Sequence, residues 1–174
     1  MIALYILGGV IALILIVAAL IGTGWSYEKS ILINSPIDIV WDHVKTLEAN
    51  NKWSPWISLD PDIRQEYSGI DGTPGAKYSW DSSVKNVGAG TQTILNITNQ
   101  AEFSTQVDFI RPFKGTGKGY VRVSKEGNAT LAKWGMISST PYPMNIIKLF
   151  GVIEKNMDKD FGIGLNKLKV LCEK

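Results

Sequence analysis

The sequence predicts an α+β protein in which an antiparallel sheet is covered by a long C-terminal helix, with one apolar helix ahead of them. Three observations carry this prediction. The run from Ile2 to Ile21 has no charged residue, the middle of the chain alternates apolar and polar residues with a period of two, and helical spacing returns after Pro143. Because a one-sided antiparallel sheet must bury its apolar face, the last helix is its expected cover.

Composition favours a folded chain and gives no electrostatic case for nucleic acid. The 174 residues include 18 Lys and Arg against 16 Asp and Glu, which leaves a formal charge of +2. A nucleic-acid-binding domain would favour a basic stripe, so no nucleic-acid partner is expected. With 45% hydrophobic residues, the chain has enough apolar surface to form a core.

The first apolar run is interpreted as a transmembrane anchor. As a helix, residues 2–21 would extend roughly 30 Å, enough to cross the hydrocarbon core of a bilayer. A signal peptide is the alternative, but no basic residue precedes the run, and the run is longer than a signal peptide needs. We therefore expect residues 1–24 to be an anchor with a short tether and residues 25–174 to be one domain. Trp25 and Tyr27 are expected at the membrane interface.

The side of the membrane on which the domain lies is not defined by the sequence. The positive-inside rule needs Lys or Arg beside the span, and here Lys29 stands next to Glu28 with no basic residue ahead of the run. Cys172 has no second cysteine to pair with, so it does not define the compartment either. The chain is expected to be a single-pass membrane protein.

The domain begins with a strand and a helix. Alternation predicts a strand from Tyr27 to Asn34. Ser35 is a candidate N-cap, Pro36 suits the first helical position, and helical spacing then continues to Leu47. The segment after it, which contains Trp53 and Trp56, ends the helix and adds at most one short helical turn.

The central part predicts about six antiparallel strands. Segments 76–82, 90–98 and 101–111 alternate clearly, and 117–138 is typical of a hairpin that turns near Gly127. The connections are short, which favours antiparallel neighbours. Alternation then assigns these residues to one inner face: Tyr78, Trp80, Phe103, Val107, Phe109, Trp134 and Met136.

The last element is predicted to be a helix from Pro143 to Lys174. Apolar residues recur along it at helical spacing, including Leu165 and Leu168. Gly162 and Gly164 are expected to bend it.

Several short segments of this sequence resemble the sequences of one superfamily. They are "INSPIDIVWDHV", "KWSPWISLDPD", "YSGIDGTPGAKYSWDS", "VGAGTQTI", "FIRPF" and "DFGIGLNKLK". Together they resemble the SRPBCC superfamily of START-like, helix-grip domains, and most closely its polyketide cyclase/dehydrase and lipid-transport branch. The resemblance covers about residues 27–172. It implies a helix-grip fold, in which a curved antiparallel sheet wraps around a long C-terminal helix with an apolar cavity between them.

That cavity gives the candidate ligand-binding residues. They are the inner-face set together with two residues near its ends: Trp56, Tyr78, Trp80, Phe103, Val107, Phe109, Arg111, Trp134 and Met136. Ordinary core packing is the alternative for each of them. Trp53 and Trp56 are expected to plug the end of the core, to line the cavity mouth, or to contact the membrane. Arg111 follows Phe109 by alternation and is expected to pair with an acid or to hold a ligand's polar head.

The sequence contains little catalytic chemistry. With His43 as its one histidine and Cys172 as its one cysteine, no Cys/His zinc cluster can form, so no metal and no cofactor are expected. Asp60, Asp62 and Glu66 lack EF-hand spacing and are interpreted as a solvated turn. "GTGKGY" precedes a predicted strand, whereas a phosphate-binding loop opens a helix.

Three functions remain open at this stage. The first is a membrane-anchored domain that binds a hydrophobic small molecule or lipid, which is not expected to be an enzyme. The second is a polyketide cyclase or dehydratase, for which Arg111, Asp108 and Tyr120 are the nearest candidates, although alternation places Asp108 and Tyr120 on the outer face. The third is a protein-interaction module like the chaperone co-activators of the superfamily. A fold by itself does not distinguish among them.

Overall fold

The computed structural model describes all 174 residues. It contains four α-helices and seven strands. In chain order these are α1 Ile2–Leu20, β1 Gly24–Ile33, α2 Ile37–Asp42, α3 Leu47–Asn51, β2 Arg64–Ser68, β3 Lys77–Asp81, β4 Ala89–Thr98, β5 Glu102–Arg111, β6 Gly115–Glu126, β7 Ala129–Ser139 and α4 Val152–Cys172. Two short 3₁₀ helices cover Ile57–Leu59 and Met144–Phe150.

The strands form one antiparallel sheet in the order β1-β7-β6-β5-β4-β3-β2. With α4 packed on its inner face, this sheet confirms the predicted α+β, helix-grip fold. Six strands follow the first helices, as the sequence indicates. The strand β2 was not located from the sequence, because all five of its residues are exposed at the edge of the sheet and show no apolar alternation.

The predicted helix after β1 is interrupted. It is divided into α2 and α3 because Thr46 begins a new helix: its Oγ1 accepts a hydrogen bond from the Ala49 amide at 3.1 Å. The Asp71 carboxylate accepts two more, from the amides of Leu47 and Glu48, at 2.8 and 3.0 Å. The Ser35 side chain does not cap α2, so that expectation was wrong; its carbonyl instead accepts from Thr130 Oγ1 at 2.8 Å.

The C-terminal helix begins later than predicted. Residues Met144–Phe150 form a 3₁₀ helix, and Gly151, with a φ of 61°, separates that segment from α4. This backbone conformation is costly for residues other than glycine, so Gly151 is a suitable break point. From Val152 the helix α4 runs to Cys172 through both internal glycines, so it is not broken where a bend was expected.

Gly164 has a packing role. A Cβ built on it would lie 2.5 Å from the Trp134 ring, so only glycine lets the helix approach β7 this closely. The face of α4 that follows is fully buried: Leu165 and Leu168 join the main core, which also contains Val40 and Val44 from the α2 region. The helix is therefore the cover of the sheet that the sequence predicts.

The helix α1 is exposed along almost its whole length. Ala18, at 1% exposure, is its one buried residue, and it lies beside the 3₁₀ helix Met144–Phe150. There Asn145 Nδ2 donates to the carbonyls of Ala18 and Ile21, at 2.7 and 2.8 Å. Lys148 Nζ donates to the carbonyls of Gly22 and Gly24. These bonds satisfy carbonyl groups that the end of a helix otherwise leaves unpaired.

Candidate functional site

A cavity of about 880 Å³ lies between the sheet and α4. Its wall is formed by strands β3 to β7, by α4 and by the segment that contains Trp53 and Trp56, and 19 of its 36 lining residues are hydrophobic. Binding sites for small molecules generally occupy about 300–1,000 Å³. The space between sheet and helix is therefore open and not filled by side chains.

All nine residues proposed from the sequence lie on the wall of this cavity. The structure brings together one residue from the segment before β2 and eight from the three strands β3, β5 and β7. They are Trp56, Tyr78, Trp80, Phe103, Val107, Phe109, Arg111, Trp134 and Met136. That they contact a ligand remains a prediction.

One cluster of aromatic rings closes the α4 side of the cavity. Trp134 stacks on Phe161 of α4, with ring centroids 4.1 Å apart and an interplanar angle of 10°. Trp53 and Trp56 meet the edge of Trp134 at 4.9 and 5.6 Å. Such edge and stacked contacts add to the stability that burial alone provides.

The two tryptophans of "WSPW" have different roles. Trp53 is 1% exposed, and its Nε1 donates to the His43 carbonyl at 2.9 Å, so it belongs mainly to the core. Trp56 is half-buried, and its Nε1 donates to Asp160 of α4 at 3.2 Å. Its bond to α4 positions Trp56 as a wall residue between the loop and the helix.

A second aromatic group lines the opposite side. Tyr78 stacks on Trp80 at 5.9 Å, and Phe109 meets Trp80 edge-on at 6.3 Å. The Trp80 Nε1 donates to the Val87 carbonyl at 3.2 Å, which joins this wall to the loop between β3 and β4. The cavity thus has large apolar surfaces on two sides.

The cavity wall contains one buried polar atom without a partner. The hydroxyl of Tyr78 is buried and makes no hydrogen bond. Burial raises the pKa of Tyr78 well above that of an exposed tyrosine, so at neutral pH the group is a protonated donor. An unpaired buried hydroxyl costs free energy, which a polar atom of a ligand would recover.

Arg111 pairs with an acid, which is one of the two roles that the sequence predicts for it. Ile110 is an extra residue in β5, so Phe109 pairs with Gly90 whereas Arg111 pairs with Ala89. Such a bulge changes the side of the sheet to which the following residue points. The Arg111 guanidinium forms an ion pair with Asp81 at the rim of the cavity.

The other candidates for catalysis, Asp108 and Tyr120, are both engaged in hydrogen bonds, and of the two only Tyr120 lines the cavity. Asp108 accepts from Thr116 Oγ1 at 2.7 Å, and the Tyr120 hydroxyl donates to Glu28 Oε2 at 2.9 Å. Burial, followed by the bond to Glu28, raises the pKa of Tyr120. The cavity wall itself contains no histidine or cysteine, and Asp160 is its one acid. Nucleophile–base pairs that depend on histidine or cysteine are therefore not assembled there.

Several wall residues were not among the sequence candidates. Met157 and Phe161 lie on the apolar stripe of α4, and that stripe could have indicated them. Val87 and Phe113 come from loops, where alternation carries no signal. Their position depends on how the loops fold over the end of the sheet.

No protein-family model matches the sequence, and comparison with curated proteins gives no sequence match either. Solved structures do resemble the fold. The di-domain ARO/CYC StfQ of the steffimycin biosynthetic pathway superposes with a TM-score of 0.64 at 7% identity, over 87% of this chain and 51% of that one. Ara h 8.0201 gives 0.58 at 14%, over 87% and 99%.

A third solved structure is the Aha1 dimer from Colwellia psychrerythraea. It gives a TM-score of 0.58 at 12% identity, over 86% of this chain and 96% of that one. At these identities the likeness shows the helix-grip fold, in agreement with the resemblance in the sequence, and it does not assign a function.

Proposed function

We propose that this protein, on the premise of its helix-grip fold, is a membrane-anchored domain that binds a hydrophobic small molecule or lipid in the cavity between sheet and α4. The observation that carries the proposal is the open, largely apolar cavity of about 880 Å³. The atoms that line an apolar cavity of this size lack van der Waals contacts, which a bound ligand would supply. The ARO/CYC protein among the similar structures is consistent with a small-molecule role for this fold.

The arrangement of polar groups suggests how a ligand would be oriented. The apolar part would lie between the Trp134–Phe161 stack and the Trp80–Phe109 pair. The unpaired Tyr78 hydroxyl would donate a hydrogen bond to an oxygen of the ligand. A few placed polar groups in an apolar wall are the usual means of fixing a ligand's orientation.

The anchor is the second part of the proposal. The helix Ile2–Leu20 is long and apolar enough to cross a membrane, and only 6% of its most apolar window is buried inside the protein. A core helix would be largely buried, so its exposure supports a role in the bilayer. The proposed division is an anchor and tether over residues 1–24 and a ligand-binding domain over residues 25–174.

The test is native mass spectrometry of the full-length protein extracted in mild detergent, followed by identification of any molecule released on denaturation. Val107→Phe adds bulk on the cavity wall. We expect the wild type to carry a bound apolar molecule and Val107→Phe to lose most of it, because the added ring occupies the ligand's volume.

The matched control is Val170→Phe, which adds the same bulk at a position of α4 that is 60% exposed and outside this cavity. It should retain the bound molecule. A wild type that carries nothing and binds no member of a panel of fatty acids, phospholipids and polyketide-like aromatics would contradict the proposal.

A further inference from the structure

The strand pairing shows which end of the sheet lies next to α1. We call this end the anchor end. β1 begins there at Gly24, which pairs with Ser139 at the end of β7. The ladder continues across the sheet, so that the following termini all lie at this end: Gly115 of β6, Arg111 of β5, Ala89 of β4 and Asp81 of β3.

Three loops therefore lie at the anchor end, together with the segment before β2, since Arg64 pairs with Asp81. The three loops are residues 82–88 between β3 and β4, residues 112–114 between β5 and β6, and residues 140–151 between β7 and α4. The first two loops contribute Val87, Pro112 and Phe113 to the wall of the cavity. The wall of the cavity thus includes loops on the side of the domain that the anchor joins.

These loops, with the end of β5, expose large apolar side chains. Phe113 is 74% exposed and Phe150 is 75% exposed, which is costly for phenylalanine in water. The set continues with aliphatic neighbours, and we call it the apolar lip: Ile110, Phe113, Met144, Leu149, Phe150 and Val152. Apolar surface grouped in this way marks a contact with a partner or a membrane.

The anchor indicates which contact this is. Asn145, in the same 3₁₀ helix as Leu149, donates to the Ala18 carbonyl, two residues before the end of α1 at Leu20. At a rise of about 1.5 Å per residue, the 3₁₀ helix reaches about 3 Å below the end of α1. If α1 spans the bilayer, this segment lies within the interface. The Phe113 hairpin joins β6 and β5, which lie two and three strand spacings from β1, so it is roughly 10–15 Å away.

The charge of the same loops agrees with a lipid surface. The three loops contain Lys85, Lys114 and Lys148 and no acidic residue. Beside them, Asp81 is paired with Arg111. Asp60 is buried and accepts from the Ser82 hydroxyl, and Asp62 is the exposed acid of the segment before β2. Lysines around an exposed apolar patch are typical of surfaces that rest on anionic headgroups, where each contributes about 1 kcal/mol near the surface.

We propose that the apolar lip inserts into the membrane interface beside the anchor, so that the mouth of the cavity faces the bilayer and the ligand enters directly from it. The second half of this inference rests on the proposed function, since it requires the cavity to take a ligand. It narrows that ligand to a molecule that resides in the bilayer, such as a membrane lipid. The first half rests on the anchor of the proposed function and requires no ligand.

The experiment measures the depth of the lip in the full-length protein reconstituted into vesicles of phosphatidylcholine and phosphatidylglycerol. Phe113→Cys and Phe150→Cys are labelled separately with a small fluorophore, and quenching by nitroxide-bearing phospholipid is recorded. Insertion of the lip about 5–10 Å below the surface should bring both labels within reach of the quencher.

Ile70→Cys is the matched control. Ile70 is 77% exposed and lies in the turn between β2 and β3, and because Ser68 pairs with Lys77, this turn is at the opposite end of the sheet. The wild type measures background labelling of the buried Cys172. We expect quenching at Phe113 and Phe150 to be several-fold stronger than at Ile70.

The inference would be overturned if quenching at Phe113 were no stronger than at Ile70. The result at Phe150 would not change this conclusion, because Phe150 is adjacent to the anchor, whereas Phe113 lines the cavity. The measurement needs no bound ligand. Its failure would therefore leave the proposed function to the mass-spectrometric test, and failure of that test would leave the membrane contact standing.

Discussion

At the scale of single residues, Gly164 decides how closely α4 approaches the cavity wall. The helix places this position against Trp134, whose ring also stacks on Phe161 one turn earlier. A side chain here would separate the helix from the aromatic cluster. The absence of a side chain at Gly164 therefore helps to define the shape of the cavity.

Gly164→Ala should lower the free energy of unfolding by an amount on the order of 1 kcal/mol. Alanine normally stabilises a helix by about 1 kcal/mol relative to glycine. Here its Cβ would lie 2.5 Å from the Trp134 ring and 3.3 Å from Pro55 Cδ, and overpacking costs about 1–3 kcal/mol. Thermal unfolding of the full-length protein in detergent measures the difference.

Gly162→Ala is the control on the same helix. The nearest atom to its Cβ would be the flexible Lys29 Nζ at 3.3 Å, so the usual gain in helix propensity should appear. If both substitutions stabilise the protein equally, Trp134 is not seated against α4.

At the scale of elements, α4 packs on the inner face of the sheet. The buried face of the helix consists of Phe161, Leu165 and Leu168. Nearer its start, Asp158 accepts hydrogen bonds from Lys29 Nζ and from the Tyr27 hydroxyl, both at 2.6 Å. The Lys29 and Tyr27 bonds lower the pKa of Asp158, and burial followed by the Asp158 bond raises that of Tyr27 to about 12. Tyr27 thus joins β1 to α4, and its place at the membrane interface stays a prediction.

Leu168→Asp should lower the free energy of unfolding by several kcal/mol. Leu168 is 0% exposed in the main core, and a carboxylate there would be buried without a partner. Val170→Asp, two residues further on and largely exposed, should change stability by no more than about 0.5 kcal/mol. Equal unfolding temperatures for the two variants would show that this face of α4 does not pack on the sheet.

At the scale of the whole molecule, side-chain hydrogen bonds join α1 to the domain in addition to the covalent chain. Asn145 and Lys148 bond the last turn of α1 and the residues after it to the segment before α4. This contact fixes the end of α1 against the domain. If α1 spans the bilayer, as proposed, a cavity bordered by loops at that end is held near the bilayer.

The full-length protein should sediment with membranes, resist extraction by carbonate and keep the mass of the intact 174-residue chain. The reason is the uncharged helix Ile2–Leu20, whose transfer to water would expose about five turns of apolar side chains. Immunoblotting of the membrane and soluble fractions, with intact-mass analysis, measures this outcome. Recovery of a shortened, soluble chain would show that the segment is a signal sequence.

The sequence by itself determined the fold class and the inner face of the sheet. Alternation is a local property of a strand, so the residues Tyr78, Phe103 and Trp134 could be assigned to one face without knowing what they meet. The spacing of Leu165 and Leu168 likewise identified the cover. The exposed edge strand β2 and the break at Gly151 were missed, because neither depends on an apolar pattern.

Only the tertiary structure decided that the space between sheet and helix is open. An empty volume depends on the separation of elements far apart in sequence, and here Gly164 and Trp134 set that separation. The bulge at Ile110, which turns Arg111 to Asp81, and the Tyr78 hydroxyl without a partner likewise follow from long-range pairing. The loops of Val87 and Phe113 line the cavity at the anchor end for the same reason: the register of seven strands, which no local segment contains, places them at the end of the sheet where α1 joins it.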